Sequence, residues 1–165
     1  MGRAGLIAAL MGMLVATSAA AERRAIGLHH GWGVFREDRP LRCFAIAAPL
    51  RRARRGEGPA SAAVLTMPAR GVRGQLHFRL SRPKRHGSAV LLRIDGRTFQ
   101  LMAGGFHAWA PDAGSDAAIR AAMRTGIMMA VESRAEGGAP IRDRYALRGA
   151  ATAIDAAAVA CAGGT

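Results

Sequence analysis

Gln75-Leu76-His77-Phe78-Arg79-Leu80, followed by Val90-Leu91-Leu92-Arg93-Ile94-Asp95-Gly96-Arg97-Thr98-Phe99-Gln100-Leu101, is the stretch that decides the fold. In the first run polar and apolar residues alternate with period two, which puts Leu76, Phe78 and Leu80 on one face of an extended strand. Val90, Leu92 and Ile94 repeat the pattern. Asp95-Gly96 then separates two alternating runs, where a tight turn needs positive φ that glycine supplies at little cost. This is the signature of an antiparallel hairpin with one buried face.

Outward from the hairpin the same grammar continues. Toward the N-terminus, Ala62 to Met67 is a strand candidate, and Leu41-Arg42-Cys43-Phe44-Ala45-Ile46 is another after the turn-prone Asp38-Arg39-Pro40. Gly31-Trp32-Gly33-Val34-Phe35 opens the domain. Between them, Arg51-Arg52-Ala53-Arg54-Arg55-Gly56-Glu57-Gly58-Pro59 has no periodicity and reads as an exposed loop. Toward the C-terminus the period changes. Ser115 caps an expected helix over Asp116 to Thr125, ended by Gly126, with Ile119, Ala122 and Met123 on one side. Ile127 to Val131 and Arg144 to Leu147 return to strand character, and Ala150 to Ala160 is an alanine-rich helical segment ending beside Cys161. About seven strands with two short helices that do not alternate with them predict a mainly β, antiparallel β-sandwich rather than a βαβ fold.

The first 21 residues have a different character. Met1-Gly2-Arg3 precedes an apolar run from Ala4 to Ala16 and then Thr17-Ser18-Ala19-Ala20-Ala21, the pattern of a cleavable Sec-type signal peptide. The reading assigns residues 1–21 to that signal and residues 22–165 to one β-sandwich domain, periplasmic or secreted. No later stretch offers the ~20 uninterrupted apolar residues that a membrane-spanning helix needs. In an oxidising compartment the two cysteines, Cys43 and Cys161, are expected to pair, the alternative being two buried thiols. A bridge would close a loop of 118 residues, worth roughly 4–5 kcal/mol in the chain-entropy account.

The net charge of +13 is carried almost wholly by arginine, since Lys84 is the one lysine. Such a balance favours anionic partners, and for an exported chain the accessible ones are envelope lipid and polysaccharide rather than nucleic acid. Arg51, Arg52, Arg54 and Arg55 form the densest charge and are the expected anionic-surface residues, with Arg82, Lys84 and Arg85 as a second cluster. Motifs for nucleophilic, metallopeptidase, nucleotide or dithiol chemistry are missing, the carboxylates form no evident acid–base pair, and no catalytic residue is assigned. His29, His30, His77, His86 and His107 show no compact ligand spacing, so neither a metal site nor a cofactor is expected. Trp109 is expected to lie beneath the Ile119–Met123 helix, and Tyr145 to point inward with Asp143 facing solvent or bonding a loop.

The order of these features resembles the invasion-associated locus B family of exported alphaproteobacterial proteins. The resemblance is carried by Gly31-Trp32-Gly33-Val34-Phe35, by Arg42-Cys43-Phe44-Ala45-Ile46-Ala47-Ala48-Pro49, by Ala117 to Gly126, and by Arg142-Asp143-Arg144-Tyr145-Ala146-Leu147-Arg148-Gly149 running to an Ala-rich helix and Cys161. It covers about Trp32 to Cys161. It implies an immunoglobulin-like β-sandwich, places Cys43 and Cys161 at the family's early and late cysteine positions, and brings no catalytic residue. The Arg51 to Gly58 loop is more basic than the family pattern. The expectation is a non-enzymatic envelope protein with a binding or structural role. A secreted or surface factor aiding host-cell interaction or invasion is the runner-up.

Overall fold

The computed structural model describes residues 22–163, so the signal-peptide reading of residues 1–21 lies outside the described residues. Among the described residues ten strands occur: β1 (Arg23–His29), β2 (Trp32–Asp38), β3 (Leu41–Ala47), β4 (Ser61–Met67), β5 (Val72–Arg79), β6 (Val90–Ile94), β7 (Arg97–Gly104), β8 (His107–Trp109), β9 (Met128–Arg134) and β10 (Pro140–Ala146). Two helices complete the fold, α1 (Ala113–Thr125) and α2 (Ala150–Ala162). The expected mainly β sandwich with two helices is the fold observed, with more strands than the sequence pattern announces.

Every hydrogen-bonded neighbour is antiparallel, and the strand order is β1-β2-β3-β4-β5-β8-β7-β6-β9-β10. Strand β7 belongs to both leaves. Its first half, Arg97 to Leu101, pairs with β6, and its second half, Met102 to Gly104, pairs with β8. A strand that changes partners in this way forms the corner of a sandwich. The deciding hairpin is β6–β7, closed by the pair Ile94 and Arg97, with Asp95 and Gly96 at φ 42° and 90°. Both central residues having positive φ is the turn that suits the twist of paired strands.

Period-two burial fills the space between the leaves. Trp32 and Val34 of β2, Leu76 and Phe78 of β5, Val90, Leu92 and Ile94 of β6, Met129 and Val131 of β9, and Ile141 and Tyr145 of β10 join one apolar cluster. Trp32 also spans the leaves by a hydrogen bond, its Nε1 donating to Ala146 O at 2.9 Å. Helix α1 begins three residues earlier than expected. Its cap is Asp112, whose carboxylate accepts from Ser115 N at 2.7 Å, so Ser115 sits inside the first turn instead of capping it. Helix α2 buries Ala150, Ala153, Ile154, Ala157 and Cys161, one stripe at helical spacing made mainly of small residues. Its start abuts the β1–β2 turn: Gly149 has φ 86°, and a Cβ there would lie 2.2 Å from His29 O. Cys161 bonds Cys43 of β3, 118 residues away, fixing α2 to the first leaf.

Candidate anion-binding groove

The arginine loop between β3 and β4 is tied down at both ends. Leu50 N donates to Arg144 O at 2.8 Å, linking its start to β10, and Gly58 N donates to Ser81 O at 2.8 Å. Ser81 is itself held by Asp143, whose Oδ2 accepts from Ser81 N at 2.9 Å. Arg79 Nε reaches Pro59 O at 2.8 Å. Inside the loop Glu57 acts as the internal fastener. Arg51 donates to it twice, Nη1 at 2.6 Å and Nη2 at 2.8 Å, and Arg54 N donates to Glu57 Oε2 at 2.9 Å. These bonds, led by the Arg51 fork, hold the Glu57 carboxyl down to a pKa of about 2. The segment expected to be a solvated loop is therefore an ordered one, with its guanidinium groups presented from a fixed backbone.

A groove of about 520 Å³ runs along this loop, lined by Leu50, Arg51, Arg54, Glu57, Arg82, Ala139, Pro140, Arg142 and Arg144. Of the four expected residues, Arg51 and Arg54 lie on it. Arg52 faces a smaller cavity of about 230 Å³ beside Ser81 and Asp143, and Arg55 lines neither. Arg51 is committed to Glu57, and Arg82 Nε stands 3.6 Å from the same carboxylate. Arg142 Nε pairs with Glu132 at 2.8 Å. Arg54 and Arg144 are exposed and enter no side-chain ion pair among the described residues. Guanidinium forks match the oxygens of phosphate and carboxylate two at a time. Leu50, 60% exposed, together with Ala139 and Pro140, gives the groove an apolar floor.

The Arg82, Arg142 and Arg144 contribution escaped the sequence reading. Arg82 was visible as part of the second basic cluster, but nothing local joins it to Arg51, and Arg142 and Arg144 arrive from β10 at the far end of the chain. Asp143 corrects an expectation. It is only 2% exposed and shares the inward face with Tyr145, because residues two apart in a strand point the same way. Its bond to the Ser81 loop does match. Burial pushes its carboxyl up despite the Ser81 contacts. Trp109 lies beside the first turn of α1, sharing a cavity of about 430 Å³ with Asp112, Asp116 and Arg120. Among the described residues no cluster of three or more His, Cys, Asp or Glu side chains is placed to share a metal ion, although His77 and His107 meet across β5 and β8.

A crystal structure of invasion associated protein b from Bartonella henselae is similar to this chain, with a TM-score of 0.57 over 78% of this chain and 92% of that one, at 15% sequence identity. The two share a fold. At that identity the likeness concerns architecture and not ligand, and it meets the resemblance drawn from the residue order at that level. No protein-family model matches the chain, and no curated protein does. No helix among the described residues is long and apolar enough to cross a membrane.

Proposed function

We propose that this is an exported, non-enzymatic protein of the cell envelope, periplasmic or secreted, whose arginine groove holds an anionic envelope lipid or polysaccharide. The observation that carries the reading is the convergence of Arg54, Arg82 and Arg144 from three separate segments onto one groove with an apolar floor. The Leu50 side of the groove suits the acyl or sugar-face part of such a ligand. Sedimentation with vesicles containing anionic phospholipid tests it. Each arginine at a charged membrane surface is worth about 1 kcal/mol, so replacing Arg54, Arg82 and Arg144 with Ser should weaken binding on the order of 100-fold. A triple Ser variant at Arg24, Arg97 and Arg148, which removes the same charge elsewhere, should bind nearly as the wild type does. Equal losses in the two variants would reduce the groove to bulk electrostatics.

A second reading, a surface or secreted factor that aids host-cell contact, takes its support from the name of the Bartonella henselae protein that shares the fold. Deleting the gene and measuring attachment to host cells separates the two, because an internal envelope role leaves attachment unchanged.

A further inference from the structure

We propose that the outer face of β5, β8 and β7 carries a copper(I) site built from the imidazoles of His77 and His107 and the thioether of Met102. The register places them on one face, with His77 and His107 in contact and Met102 on the second strand from His77, across Trp109. Strand β5 pairs with β8 so that His77 lies opposite Trp109 and Arg79 opposite His107, and β8 pairs with β7 so that Trp109 lies opposite Met102. Leu76, Phe78, Ala108 and Leu101 are buried, so the alternating residues His77, His107, Trp109 and Met102 share the opposite, outward face. His77 Nε2 stands 3.0 Å from His107 Nδ1, with the rings stacked at a centroid separation of 5.1 Å and an angle of 28°. Two nitrogens each about 2.0 Å from one metal in trigonal or tetrahedral geometry are roughly 3.3–3.5 Å apart. The pair is thus within a few tenths of an ångström of ligating distance on two paired strands.

The surroundings select the metal. No carboxylate is among these side chains, which disfavours the hard divalent ions, and imidazole with thioether is a soft donor set suited to Cu(I). The neighbours of His77 on the same face are Ala63 of β4, opposite it in register, and Gln75, two residues before it on β5; both are uncharged. Arg79 is the charged neighbour. Its guanidinium is engaged elsewhere, 5.3 Å from the Phe106 ring centre and bonded to Pro59 O. A monovalent ion meets less repulsion from it than a divalent one. Trp109 lies between His77 and Met102 in register, on the same outward face. Met102, 54% exposed, leaves its sulfur reachable.

The test uses untagged, oxidised protein competing anaerobically with bicinchoninate for Cu(I). The wild type should take one equivalent from the chelator. His77→Ala and His107→Ala should each weaken binding about 100-fold or more, and Met102→Leu about 10-fold, scales typical of losing a ligand or a tuning group. Zn(II) affinity should be unchanged by Met102→Leu. His30→Ala serves as the control, and melting temperatures equal to wild type show that these substitutions leave the fold intact. X-ray absorption of the copper-loaded protein should show nitrogen and sulfur scatterers. Copper left with the chelator by the wild type, or held as tightly by the two His→Ala variants, overturns the site, and a shell without sulfur overturns the part assigned to Met102.

Discussion

Glu57 has two opposed roles. It fastens the arginine loop, and it also places a negative charge in a groove whose other charged side chains are positive. Glu57→Gln therefore should separate them. The protein should lose about 1–2 kcal/mol, the usual scale for weakened charge-assisted hydrogen bonds, while its affinity for anionic vesicles rises. The pH dependence follows from sign. Because the folded carboxyl sits at about 2, below its ordinary 4.5, its stabilisation is complete above pH 4.5 and is lost as pH falls toward 2. Asp143 works the other way, its raised pKa favouring the folded state below its ordinary 3.8 and losing that advantage as pH rises through the folded value. Melting curves across pH 2–5 should therefore show a shallower acid loss for Glu57→Gln than for the wild type. A parallel pair of curves would mean that the Arg51 fork contributes nothing in solution.

Among the elements, α2 depends most on a covalent bond. Its buried stripe is chiefly alanine, which offers little area per turn, and the Cys43–Cys161 bridge supplies the rest of its attachment. Cys161→Ser should lower stability by roughly 4 kcal/mol, with native strain or residual denatured structure reducing it, and the melting temperature by roughly 10 °C or more. Cys43→Ser should cost a similar amount and the double variant little more, since one bond is lost in all three. The elements also show where sequence pattern is informative. The β6–β7 hairpin was legible because alternation and Asp95-Gly96 agree. Strand β1 was not, because Gly27 follows a register shift and none of its residues is buried on this edge. What holds β1 is its pairing with β2, reinforced by Arg23 Nε, which reaches the buried Glu37 carboxylate at 2.8 Å. Strand β8, three residues long, is too short to show a period.

For the whole molecule, the sandwich was legible from summed local patterns, whereas the sites were not. Arg51 and Arg54 stood out because they are neighbours in sequence. Arg144 joins them only when β10 comes alongside the loop, and His77 meets His107 only through the β5–β8 register, so no local window contains either arrangement. The bridge has another consequence at this scale. Every connection from the β3–β4 loop to the β10–α2 turn lies between Cys43 and Cys161. The exposed Arg52-Ala53 and Arg55-Gly56 bonds in that loop are natural targets for a trypsin-like peptidase. A cut there opens the ring without dividing it, and the nicked chain should migrate as one species until a reductant is added, then as two. Damage to the segment that meets the outside world leaves the molecule in one piece.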